Sequence, residues 1–386
     1  SASVIDCDNY GTLTFTDGQN PYIAGIAAFA SNVSNCNNYA DLICNDMYLN
    51  SLAGITCRVN YVKDCVNYGK IQSNFYSTGI AGEHGNGYDS NEDPSTFVIS
   101  GCINKGDIIG REAAGIVGST YRNIENCSNE GNITGEDVAS GIAASGTGAI
   151  INSCANYGKV DADVAVGICV NAHNTAVSDC INYGLLKADF YVSGIAREYK
   201  SVSNSVNYGL IKANNYGNIV FGNAEGVTNC YYFNNYGDND NDFSNISTHY
   251  VSGDFKNQDS YQGLDFEEKW AINDSGILYL QALGDEIGVV SSISADSVQV
   301  ATGVTEDLQI NVSSEKKFYV VKPEYEILNT DIAGITKIGD ITGKAVGTTK
   351  VVISDAFSEK IFTCDVQVVE SVKKIEIEGS NYVEVG

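Results

Sequence analysis

The sequence predicts an all-β protein: a parallel β-solenoid of about nine coils followed by a small β-sandwich. Three observations lead there. A box of the form Val/Ile-x-x-Cys-x-Asn-x-Gly-x-Ile returns nine times with small drift between residue 1 and about residue 230. Between boxes the chain holds short β-branched runs broken by Gly and Asn, with no sustained 3.6-residue period, which argues strands over helices. After Leu283 the box vanishes and period-two apolar runs take over.

The boxes are marked by Cys7, Cys36, Cys65, Cys102, Cys127, Cys154, Cys180 and Cys230, with Ser205 in place of one cysteine. Their separations are 29, 29, 37, 25, 27, 26, 25 and 25 residues. A fixed period of this kind signals one supersecondary unit stacked on itself. Three residues before each Cys or Ser stands a Val or Ile, from Val4 to Val227. Two residues after it stands an amide in eight copies, from Asn9 to Asn207, then Gly or Ala, then an aliphatic residue. A Gly-Ile pair follows later in seven copies, Gly25-Ile26 to Gly194-Ile195.

One such coil cannot bury its own apolar patches, so like side chains are expected to stack in ladders. Cysteine fits as a small apolar filler, and Ser205 supports a space-filling role. Asn is expected to bond to backbone and to the Asn of the next coil. The glycine after it serves positive φ or close approach. The long separation of 37 arises from Glu83 to Thr96, read as a loop pushed out of the solenoid.

On these residues the chain resembles the GLUG-type repeats of bacterial surface proteins. The matching elements are Ala24-Gly25-Ile26, Ala114-Gly115-Ile116-Val117-Gly118 and the Cys-x-Asn-x-Gly box, and the stretch from Val227 through Trp270 to Leu280 is similar to the way such arrays end. The resemblance covers residues 1–283, with repeats to about 230 and a capping segment 231–283. It implies a secreted or surface-attached part and supplies no catalytic residues.

The second region carries alternating runs at Val298–Val300, Leu308–Val312, Lys317–Val321 and Phe362–Val368, the pattern of a sandwich. Ile338 to Ile353, with glycines at 339, 343 and 347, is similar to the bacterial group-2 immunoglobulin-like domain, a match over residues 287–370. Residues 371–386 echo the start of that domain, so a further immunoglobulin-like domain is expected to begin there and be cut off. Both ends read as cuts through a longer protein, and tandem domains of this kind imply a stalk.

Composition narrows the function classes. The chain has 22 basic and 48 acidic residues, a net charge of -26, which argues against nucleic acid and against anionic membrane surfaces. No apolar run approaches the roughly 20 residues that span a bilayer. Twelve cysteines would ordinarily suggest disulfides in an exported chain, but parallel Cβ vectors in a ladder make the disulfide torsion poor, so unpaired buried thiols are expected. The expected location is extracellular or the surface of a bacterium, and the expected state is a monomer.

Candidate chemistry is sparse. His84, His173 and His249 lack the spacing of a zinc site. Asp238, Asp240 and Asp242 alternate as in hard-cation loops. The Gly of such loops is missing and His249 stands at the twelfth position, so a solvated acidic loop is the competing reading for this calcium candidate; no other cofactor is expected. Tyr10, Tyr39, Tyr68, Tyr157, Tyr183 and Tyr208 fill one box position, interrupted by Lys105 and Glu130. They form a candidate contact strip for a host or bacterial surface glycan or protein; the alternative is that they only stiffen the stack. The resulting expectation is a non-enzymatic, adhesin-like surface or secreted protein, a solenoid head on an immunoglobulin-like stalk. The alternative is a carbohydrate-binding module or accessory region of a carbohydrate-active enzyme.

Overall fold

Each box occupies the same place in a coil, and the three apolar patches of a coil become three parallel sheets. The computed structural model describes residues 2–15, 21–45, 51–84, 98–213, 216–221, 226–233, 248–250 and 255–371. The chain divides into two compact units, Ser1–Val289 with Ser314–Lys322, and Val290–Ser313 with Pro323–Gly386. The outward loop expected at Glu83 to Thr96 falls outside the described residues from 85 on, as does the further domain expected after residue 371, from 372 on.

The first unit is the solenoid. Its first sheet has nine parallel strands, each centred on the Val or Ile ahead of the box, in register from Val4 beside Val33 to Val202 beside Val227. The second has, among the described residues, ten strands, the first eight built on the asparagines; the tenth, Thr248–Tyr250, pairs with Cys230–Tyr232. The solenoid therefore has about ten turns where the boxes alone predicted nine. At about 4.8 Å per turn it runs roughly 45 Å. The third sheet has 18 strands. Early coils give it three short strands each, whereas the seventh gives one 12-residue strand, Leu186–Arg197.

Between the first two sheets the chain turns on one residue, the one immediately before the box Cys or Ser. All nine are left-handed: Asp6, Asn35, Asp64, Gly101, Asn126, Ser153, Asp179, Asn204 and Asn229, with φ between 50° and 63°. Gly, Asn and Asp tolerate this region best, so the corner is encoded one residue upstream of the box cysteine. The glycine after the asparagine serves close approach instead. A Cβ on Gly158 would lie 1.9 Å from the carbonyl oxygen of Gly131. The Gly-Ile glycines are pressed in the same way: a Cβ on Gly141 would lie 2.2 Å from the oxygen of Gly167.

The core is a set of ladders. Val33, Val62, Ile99, Ile124, Ile151, Val177 and Val202 stack in one column, Leu42, Ile71, Ile108, Ile133, Val160, Leu186 and Ile211 in another, and the Gly-Ile isoleucines from Ile55 to Ile195 in a third, all buried, with Ile26 partly buried in the first coil. None of the twelve cysteines is in a disulfide. Cys127 Sγ donates to the Glu125 carbonyl at 3.2 Å, and Cys154 does the same to Asn152 at 3.2 Å. Ser205 Oγ repeats the bond to Ser203 O at 2.8 Å, which explains why serine substitutes here. Burial raises the thiols: Cys36 to about 11, Cys57, Cys169 and Cys230 to about 12, and Cys102, Cys127 and Cys154 well above their ordinary value.

Between the glycine columns runs an amide chain. Asn9 Nδ2 donates to Asn38 Oδ1, Asn38 to Asn67, and so on to Asn207, each at 2.7–2.8 Å. From Asn38 onward each amide gives its second hydrogen to the carbonyl two residues ahead, as Asn129 does to Gly131 at 2.8 Å. Asn38 to Asn207 are fully buried, and both amide hydrogens of each asparagine from Asn38 to Asn182 have a partner, as burial demands.

The second unit is a set of small sheets around one apolar core. Gly347–Asp355 pairs antiparallel with Ile361–Val369 and with Pro323–Ile327, and Val298–Ala301 runs parallel to Ile361–Val369. A further sheet joins Thr305–Asp307, Asp340–Gly343 and Ala333–Ile335. Alternation places Val351, Ile353, Cys364, Val366 and Val368 inside with Val300, Leu308 and Ile341. The predicted run Lys317–Val321 forms the strand Phe318–Val320, which pairs with Ile287–Val289 and belongs to the first unit.

Candidate functional site

The six box tyrosines rise on the outer edge of the asparagine sheet, one residue beyond each ladder amide. Stacking coils puts their rings face to face. Tyr10–Tyr39 and Tyr39–Tyr68 have centroids 4.7 Å apart. Tyr157–Tyr183, Tyr183–Tyr208 and Tyr208–Phe233 follow at 4.9, 5.7 and 4.0 Å. The column is one in geometry and two in environment. Tyr10, Tyr39 and Tyr68 are 71, 41 and 43% exposed, whereas Tyr183 and Tyr208 are 6 and 1% exposed and Tyr157 is half-buried. The expected solvent-facing strip is thus limited to its first three rings.

The rest is covered by the chain that follows the repeats. A hairpin of Trp270–Ile272 with Leu278–Leu280 lies along coils 7 and 8. Tyr183 Oη donates to Leu278 O at 2.6 Å, and Leu278 N donates to Tyr208 Oη at 3.1 Å. Asp179, at the left-handed corner of coil 7, is almost fully buried; it accepts from Lys269 Nζ at 2.6 Å, Trp270 Nε1 at 3.3 Å and Asn152 Nδ2 at 3.1 Å. Ile181, Val206 and Tyr231, outward on the same sheet, are buried too, and Tyr231 Oη donates to Gln262 O at 2.7 Å. Further along, Phe318 stacks on Tyr157 at 4.4 Å. Burial raises the Tyr183 and Tyr208 phenols well above their ordinary value.

Lys105 and Glu130 stand where the cover stops. Lys105 Nζ sits 5.5 Å over the Tyr68 ring and 3.8 Å from Glu130, and Glu130 also pairs with Lys317 from the cover. From the sequence these charges suggested a solvent-facing position throughout; in the fold they mark the boundary between the two halves. A notch of about 180 Å³ opens there, lined by Ile103, Glu130, Tyr157, Leu283, Glu286 and Phe318.

Sequence reasoning missed the acidic corner. Asp-Cys-x-Asn-Tyr-Gly occurs at residues 6–11, 64–69 and 179–184, so the residue before the cysteine was a readable signal. Asp6 and Asp64 are exposed, and Asp8 accepts from Tyr10 Oη at 3.2 Å. The calcium candidate Asp238, Asp240 and Asp242 lies outside the described residues. Among the described residues no group of three His, Cys, Asp or Glu could hold a metal ion. His173 is exposed and pairs with Glu198 at 3.3 Å.

The third face bears a groove of about 420 Å³ with small residues Gly82, Ala114, Gly118 and Ala144 as part of its lining, and Tyr76, Tyr121, Glu83, Glu112 and Asn171 among its polar and aromatic groups. Glu83 pairs with Arg58 at 2.9 Å, and burial raises the Glu112 carboxyl despite its bond to Tyr76. Elsewhere on the solenoid exterior Arg111 pairs with Asp137 at 2.6 Å and Lys159 with Asp161 at 2.7 Å. No helix among the described residues is long and apolar enough to cross a membrane. Comparison with models of known protein families gave no match, and comparison with curated proteins gave none either.

Proposed function

We propose that this chain is a non-enzymatic, adhesin-like bacterial cell-surface or secreted protein, with the solenoid as its binding head and the second unit as an immunoglobulin-like stalk. The observation that carries the reading is the ladder interior. The repeated amides and glycines are consumed in holding coil to coil, and the box thiols are buried inside, with burial raising Cys102, Cys127 and Cys154 well above their ordinary value. Variation between coils is left to the outer columns, where a binding surface is made. The likeness of the boxes to GLUG-type repeats, and of residues 338–353 to group-2 immunoglobulin-like domains, supports placement at the surface. The acidic balance of the chain suits an exported protein.

The test is binding of the purified, labelled chain to intact epithelial and bacterial cells, with product analysis of the same glycans and proteins. Saturable binding without turnover is expected; release of oligosaccharide or peptide products would overturn the reading. A second reading, a carbohydrate-binding module, is favoured by the third-face groove, whose carboxylates, amide and tyrosines suit sugar hydroxyls and ring faces. A glycan array with Tyr76→Ala and Glu112→Gln separates it from the first.

A further inference from the structure

The covered half of the tyrosine column shows how this surface is satisfied when something lies on it. Three contacts do the work: a cation and an indole N–H on the corner aspartate, a backbone N–H and C=O bracketed by two successive tyrosine hydroxyls, and apolar side chains on the outward residues of the sheet. The repeat places the same set elsewhere. In register, Asp6, Tyr10 and Tyr39 in coils 1 and 2 stand where Asp179, Tyr183 and Tyr208 stand in coils 7 and 8. Asp64 and Tyr68 repeat the corner and ring in coil 3, with Val66 and Ile103 half-exposed beside them.

We propose that the open half of the column, Asp6, Tyr10, Tyr39, Asp64 and Tyr68, docks an extended basic-apolar polypeptide segment of a separate protein. Four observations select this occupant. The site is continuous with the intramolecular interface through the Lys105–Glu130 boundary and its notch, so the contact chemistry carries over. Both faces of Tyr39 are spent on its neighbours at 4.7 Å and the second face of Tyr68 lies under Lys105, so the strip offers mainly edges and hydroxyls; a sugar that stacks needs a free face. The outward residues Asp8 and Asn37 replace the apolar Ile181 and Val206 of the covered half, and Asp6 and Asp8, with Asp64 beside its exposed partner Lys63 at 3.8 Å, favour a cationic segment. A second copy of a chain with net charge -26 is repelled from the same acidic surface. This inference rests on the binding-protein reading and names the partner class and site within it.

The test uses the full chain and a fluorescent peptide of residues 269–280 bearing Asp274→Lys, followed by anisotropy. Saturable binding is expected, weakened about tenfold by Tyr39→Ala, a loss of about 1.4 kcal/mol. Asp6→Asn with Asp64→Asn, which keeps every ring, is expected to weaken it similarly and to flatten its salt dependence. Unchanged binding in both variants, or no saturable binding, overturns the inference. So does concentration-dependent dimerisation of the chain that Tyr39→Ala abolishes, or displacement of the peptide by oligosaccharide. Cell binding that survives both variants sinks the site and leaves the adhesin-like reading; peptide binding without cell binding does the reverse.

Discussion

The two halves of the tyrosine column share a backbone, a spacing and a residue type, yet they differ in what they contribute. In coils 7 and 8 the rings are core: they lie under Trp270, Leu278 and Leu280, and their hydroxyls have backbone partners. In coils 1 to 3 they are surface, stacked but open. Position in a repeat therefore fixes geometry, while burial, and with it energy, is set by a segment some 70 to 95 residues away in sequence.

The sharpest way to break this comparison is to truncate one ring in each half. Tyr208→Ala is expected to cost about 3–5 kcal/mol, as buried aromatic truncations do, and Tyr39→Ala no more than about 1 kcal/mol; urea unfolding of the two variants measures both. Equal losses would mean that the stack, and not the cover, stabilises the rings.

Within the shared ladder the halves should respond alike. Asn129→Ala leaves Asn104 Nδ2 without its acceptor and Asn156 Oδ1 and Gly131 O without their donors. Buried unsatisfied groups cost about 1–3 kcal/mol each, so a loss of roughly 3 kcal/mol is expected, again by denaturant unfolding. Little loss would indicate that water or relaxed coils replace the amide.

The corner aspartates give a smaller contrast. Asp179→Asn removes a charge-assisted bond to Lys269 and is expected to cost about 1.5–3 kcal/mol, with protease nicking of the hairpin as the local readout. Asp64→Asn, on an exposed corner, should be near neutral.

Alkaline titration gives the finest contrast. The Tyr183 and Tyr208 phenols are raised above their unfolded value by burial, as are the Cys102, Cys127 and Cys154 thiols. The native state therefore holds these protons after the unfolded state has lost them, so stability is fully present below about pH 8.5 for thiols and about pH 10 for phenols and falls as pH climbs beyond. Phenolate absorbance should include a late phase, from the covered rings, that rises only with unfolding. A single phase would erase the distinction between the halves.

Much of this was legible in the residues. The period gave the coils, the Val, Cys, Asn and aliphatic columns gave the ladders, and Ser205 gave the space-filling role of the thiols, because a stacked repeat aligns like with like. The turn residue before each cysteine was legible too and was overlooked, since Asp, Asn, Ser and Gly share the left-handed corner without sharing a letter. The tenth turn was not, because Thr248–Tyr250 carries no box. Nor was the strip's true extent: six tyrosines look identical in a pattern that records only neighbours one coil away.

Local pattern alone determined that this chain stacks, which residues face inward and which atoms close the ladder, since those contacts join equivalent positions in adjacent coils. Only the tertiary structure decided which outer columns are surface. That choice depends on where Lys269, Leu278 and Phe318 fold back, and such long-range contacts obey no period that a repeat can reveal.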